Sequence, residues 1–98
     1  MGIDVQLMKA ATSMPLNIAE GAGEFSAKDK ARFYRIARRS ATECAAALDV
    51  CIRMGLVREP DVQAGRELLR RIVAMLTKLV IGFEGEAPRS APRTEELS

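Results

Sequence analysis

An all-α fold, an antiparallel bundle of three long helices, is what this sequence predicts, and three observations predict it. Apolar residues recur at steps of three and four along three separate stretches, which is helical spacing. The composition is rich in alanine and poor in aromatics, with one Tyr, three Phe and no Trp, so it suits close helix packing better than a sandwich of β-branched strands. No stretch alternates apolar and polar residues in the manner of a half-buried strand. With 98 residues the chain makes one small domain, and a core of that size alone gives thin stability.

The first helix follows from Ile3, Leu7, Ala11, Met14 and Ile18. Pro15 falls inside this pattern. It lacks an amide hydrogen and crowds the carbonyl four residues back, so a kink is expected while the apolar face continues. Thr12 and Ser13 are placed to satisfy freed carbonyls. Gly21 and Gly23 read as the stop signal.

Ser26 opens the second helix. Ser26 to Asp29 is a variant of the capping box, with Phe25 as its hydrophobic staple. The seam Tyr34, Ala37, Ala41, Cys44, Leu48 and Cys51, widened by Phe33, Ile36 and Ile52, carries the helix from about Ala27 to Met54. Gly55 is a suitable residue just beyond its end. Glu59-Pro60 begins the third helix, where a proline's missing amide costs nothing. Val62, Gly65, Leu69, Ile72, Leu76, Leu79 and Phe83 form a heptad-like seam, broadened by Leu68, Val73, Met75 and Val80. Gly82 and Gly85 read as its end. The chain therefore divides into a helical domain over residues 1–84 and a tail over 85–98 whose Pro, Ser and charge content predicts disorder.

Several function classes lose their usual residues. There is no histidine, which removes the commonest zinc sites, Ser-His and Cys-His nucleophiles, and the Glu-x-x-His signature of di-iron bundles. Cys44 and Cys51 lie seven apart on one helix, too far for a bridge, and two free thiols suit a reducing compartment. No apolar run approaches the roughly 20 residues of a spanning helix, and the start of the chain has no basic region of a secretory signal. The expectation is a cytoplasmic protein with no membrane contact, no cofactor, no metal and no enzymatic activity.

The pieces SMPLNIAEG (Ser13 to Gly21), ARF (Ala31 to Phe33) and IARRSATE (Ile36 to Glu43) together resemble the signature of the four-helix bundle proteins of 23S ribosomal RNA intervening sequences. That family takes in the accessory variability proteins of diversity-generating retroelements. The likeness covers about residues 5 to 83. It implies an antiparallel bundle that assembles with itself, commonly as a pentamer, and for the retroelement members a partnership with RNA or DNA and a reverse transcriptase. Family members usually begin with a further long helix before the segment that starts near Ile3; either the start is truncated here or the protein makes do with three helices. A three-helix version leaves an apolar stripe uncovered, and such a stripe demands a partner.

Each candidate motif has a functional and a bland reading. Gly21-Ala22-Gly23 follows a helix rather than a strand and lacks a following Gly-Lys-Ser/Thr, so it reads as a helix stop and not a phosphate loop. Asn17 and Glu20 share one side of the first helix. Glu20 as general base or metal ligand lacks a histidine or second carboxylate. The preferred reading of Pro15, Asn17, Glu20 and Gly21 is a structural motif that holds the kinked segment to the second helix through Arg32, Arg35 or Tyr34.

The basic stripe is the best functional lead. Lys28, Arg32, Arg35 and Arg39 are spaced four, three and four, on one helix face, with Lys30 and Arg38 beside them. Residues 26–40 hold six basic side chains and one acidic, Asp29, while the whole chain has a net charge of +2. Such a cluster can meet phosphates. The bland reading is a solvated face whose arginines pair with Glu20, Glu24 or Glu43, and the face shows no interleaved aromatic for base stacking. Arg66, Arg70, Arg71 and Lys78 read as a solvated face with Glu67 as a pairing partner. Met8, Met14, Met54 and Met75 read as packing. Three functions compete: an oligomeric bundle that binds nucleic acid or a nucleic-acid enzyme, an adaptor acting only through protein contacts, and an enzyme, the least supported of the three.

Overall fold

The computed structural model describes residues 2–86, and these form three helices: α1 (Gly2–Gly23), α2 (Ala27–Arg53) and α3 (Glu59–Glu86). The molecule is a rod of 58 × 20 × 16 Å. Helix α2 is its centre, packing against α1 on one flank and α3 on the other, whereas α1 and α3 touch each other little.

The joints follow from local chemistry. The Ser26 hydroxyl accepts a hydrogen bond from the Asp29 amide at 3.0 Å, satisfying a donor that no carbonyl in the first turn can reach. At the far end of α2, Gly55 has φ +76°. Its amide reaches the Ile52 carbonyl at 3.0 Å, and the Leu56 amide reaches the Cys51 carbonyl at 2.9 Å. That pair of bonds is the Schellman arrangement, which needs a left-handed residue at this position.

The stop expected at Gly21 and Gly23 holds, since α1 ends at Gly23 with Gly21 in its last turn, and four other sequence expectations are corrected. Gly82 and Gly85 lie inside α3; glycine weakens a helix by under about 1 kcal/mol and need not end one. The division at residue 84 moves accordingly, since α3 continues to Glu86, and the rest of the expected tail lies outside the described residues. The Thr12 hydroxyl donates to the Met8 carbonyl at 2.8 Å, not to the Ala11 carbonyl freed by Pro15. Phe25 does not act as a staple: it is 101% exposed. A staple needs an apolar residue at the fourth helical position, and that position is Lys30.

The core is small. Tyr34, Ala37, Leu76 and Val80 form it, with Ile18, Ile72, Leu79 and Phe83 packed around them. Leu76 and Val80 are the largest side chains shut completely from solvent. Along α2 the inward residues include Ala31, Ala37, Ala41 and Cys44, and their small volumes bring the neighbouring helices close. Tyr34 ties all three elements together. Its ring lies against Gly21 of α1 and stacks on Phe83 of α3, with centroids 5.9 Å apart and planes at 30°.

Candidate nucleic-acid interface

On an α-helix, steps of three and four keep residues on one side. Lys28, Arg32, Arg35 and Arg39 obey that spacing and are all exposed, whereas the inward positions of α2 run through Tyr34, Ala37, Ala41 and Cys44. The four cations therefore occupy the side of α2 turned away from the core, and α1 and α3 take its two flanks.

The six basic residues of 26–40 separate into distinct environments. Lys30 is turned inward. Its ammonium donates to the Gly21 carbonyl at 3.3 Å and the Ala22 carbonyl at 3.2 Å, capping the C-terminal end of α1, where carbonyls lack partners and the helix dipole favours a cation. The same ammonium lies 5.9 Å from the Phe83 ring centroid. Arg38 reaches the Thr77 hydroxyl of α3 at 3.4 Å. Arg35 is exposed but forms an ion pair with Glu84 of α3. The expected acidic partners, Glu20, Glu24 and Glu43, take no part in ion pairs among the described residues.

Lys28, Arg32 and Arg39 remain without a carboxylate partner among the described residues. Arg32 has a different support: its guanidinium lies over the Phe33 ring at 4.3 Å from the centroid, a cation–π contact that fixes the side chain and leaves its charge uncompensated. The N-terminus of α2 adds partial positive charge near Lys28. The result is a cationic strip over the first half of α2.

Of the four residues read as a structural motif, Gly21 lies against α2 at Tyr34, whereas Pro15, Asn17 and Glu20 make no hydrogen bond or ion pair to α2 among the described residues. Asn17 donates within α1, to the Ser13 carbonyl at 2.8 Å and the Ser13 hydroxyl at 3.0 Å. The crossing to α2 is made by Ser13, whose oxygen accepts from the Ser40 hydroxyl at 2.9 Å. Ser40 is the buried polar residue of the core region, and this bond prevents an unsatisfied group there. Glu20 and Pro15 are exposed, and neither touches Arg32 or Arg35 through a hydrogen bond or ion pair. Gly21 serves by having no side chain, since a Cβ there would lie 2.7 Å from Tyr34 Cε1. Sequence reasoning missed Ser13 with Ser40, and Lys30, because each acts on a residue that only the fold brings near.

Other features are consistent with a scaffold. Arg70 pairs with Glu67, as its spacing predicts. Arg66 is more than a solvated charge, reaching Asp49 of α2 at 2.8 Å and Glu59 at 3.3 Å. Cys44 and Cys51 are free and buried; burial, and secondarily the Glu43 carboxylate, push the Cys44 thiol above its usual range, which keeps it protonated and unreactive. An open cleft of about 610 Å³ between α1 and α2 is lined by Lys9, Ala10, Glu43, Ala46 and Ala47 among others. Among the described residues, no three His, Cys, Asp or Glu side chains gather as a metal site, and no helix is long and apolar enough to cross a membrane.

Against known proteins, one family model matches, that of the 23S rRNA-intervening sequence protein, over residues 1–78. No curated relative and no solved structure matches the chain.

Proposed function

Because the chain belongs to the 23S rRNA-intervening sequence protein family, we propose that it is a non-enzymatic bundle protein that joins copies of itself and offers the outer face of α2 to RNA, DNA or an enzyme working on them. The single observation that carries this reading is the strip of Lys28, Arg32 and Arg39, exposed on the side of α2 away from the core and without acidic partners among the described residues. Arg35 extends it, since an exposed pair such as Arg35–Glu84 is worth about 0–1 kcal/mol and a phosphate can displace it.

An up-and-down course of the three helices is supported by pairs that run oppositely in number. Ser13 meets Ser40 while Gly21 meets Tyr34, and Asp49 meets Arg66 while Arg35 meets Glu84. Self-association is supported by apolar side chains left in solvent, including Val5, Met8 and Leu16 on α1 and Leu68, Met75 and Ile81 on α3. A pentamer is the stoichiometry that the family resemblance suggests. Joining copies would multiply the cationic strip, and each phosphate neutralised steepens the salt dependence of binding.

The test is a salt series of binding to labelled RNA. Wild type should bind at low salt and release as salt rises. Arg32→Glu/Arg35→Glu should weaken binding strongly and flatten the log–log salt slope by about 2, one per lost phosphate contact. The second reading, an adaptor that works only through its apolar faces, rests on the same exposed side chains of α1 and α3. It predicts a defined oligomer in light scattering with no affinity for nucleic acid at any salt concentration.

A further inference from the structure

Phe25 has no structural employment. It sits in the three-residue turn between α1 and α2, it is 101% exposed, and the staple contact that would cover it is lost because the opposing position is Lys30, whose ammonium is committed to the end of α1. A fully exposed phenyl ring forfeits the gain from removing its apolar surface from water, so its position at the edge of a cationic strip calls for an occupant. Lys28 is three residues on, at the start of α2, and Arg32 lies about 6 Å further along the axis at 1.5 Å per residue.

Arg32 contributes a second flat surface. Its guanidinium lies 4.3 Å from the Phe33 ring centroid and the residue is exposed, so a planar cation is held within reach of solvent. Arginine planes and phenyl rings are the two kinds of platform on which unpaired bases stack. Free base faces are available in a single strand and are withdrawn in a duplex, where the bases stack on one another. We infer that the basic face of α2 is built for single-stranded nucleic acid: bases stack on Phe25 and on the Arg32 plane, while Lys28 and Arg39 hold flanking phosphates. This deepens the nucleic-acid reading and rests on it.

The chain has no tryptophan, so Phe25→Trp introduces a unique fluorophore at the point of contact. The expected result is that a short oligouridylate quenches its emission in step with binding, whereas a duplex of equal length binds with little quenching. Phe25→Ala should weaken oligouridylate binding by about tenfold and leave duplex binding unchanged. Arg32→Lys keeps the charge but not the plane, and should likewise lower affinity for the single strand alone.

The inference is overturned, with the basic-strip reading intact, if Phe25→Ala and Arg32→Lys leave single-strand affinity unchanged while Arg32→Glu/Arg35→Glu lowers it. It is overturned also if Phe25→Ala reduces the oligomer mass in light scattering without altering affinity, for the ring would then cover a neighbouring copy. Absence of binding to either strand form at low salt overturns both readings together. Phe25 is in solvent, so none of these variants at that position threatens the fold.

Discussion

Gly21 shows how a single missing side chain sets the packing of this molecule. The Tyr34 ring lies where a Cβ would stand at 2.7 Å from Cε1 and 3.0 Å from Cδ1, and Tyr34 is itself stacked with Phe83. The ring cannot retreat without disturbing the stack. Gly21→Ala should therefore destabilise the protein by about 1–3 kcal/mol through overpacking, visible as a lower denaturant midpoint. Gly82→Ala is the control: it is also helical, and a Cβ there meets nothing within 4 Å. Replacement should stabilise by about 0.5–1 kcal/mol through helix propensity. Equal effects of the two substitutions would refute the close-packing account. A second residue-scale argument concerns Ser13 and Ser40. Ser13→Ala removes the acceptor of a buried hydroxyl, a loss of about 1–3 kcal/mol. Removing Ser40 as well, in Ser13→Ala/Ser40→Ala, should restore part of it. A double variant weaker than the single one by an independent increment would show that the bond is not the cause.

At the scale of the element, the helices were legible in the sequence and their ends only partly so. The Ser26 cap and the left-handed Gly55 are local devices, written within a few residues, and both hold as expected. Ser26→Ala should cost about 1 kcal/mol in thermal unfolding, with Asp29 amide exchange accelerated; unchanged exchange would mean that solvent already serves that donor. The glycines were legible only in part because their meaning is not local. Gly21 reads identically whether it ends a helix or admits a ring from another one, and Tyr34 lies thirteen residues away. Gly82 and Gly85 lacked the one confirming feature that Gly55 has, a positive φ, which no spacing reveals. The candidate strip was legible for the same reason as the caps: charge at helical spacing is a local pattern. What each cation does was not, since Glu84, Thr77 and the Gly21 and Ala22 carbonyls reach Arg35, Arg38 and Lys30 only through the fold.

The whole molecule has an imbalance between what it hides and what it shows. Its fully closed large side chains are Leu76 and Val80, while Leu68 is 55% and Met75 46% exposed on the same helix. Leu68, Ile72, Met75 and Leu79 repeat at steps of four, three and four, the spacing of a helix–helix seam. Ile72 and Leu79 are only half-buried. Helix α1 adds Val5, Met8 and Leu16 in solvent. Every apolar Å² covered by another copy contributes about 25 cal/mol, and a core this small makes such covering matter to folding itself. The strip on α2 lies on the other side of that helix from its core, so association through the flanks of α1 and α3 would leave the cations facing outward. Charges placed in the seam should separate the two properties. Leu68→Glu/Met75→Glu should lower the mass in light scattering and lower the denaturant midpoint at a given concentration, since burying either carboxylate without a partner is unfavourable. Helical content should persist near wild type at high protein concentration, where Leu76, Val80 and the Tyr34–Phe83 stack remain in place. A mass identical to wild type in that variant would show that copies meet elsewhere. A wild-type midpoint that does not move with dilution would show that the three helices suffice alone.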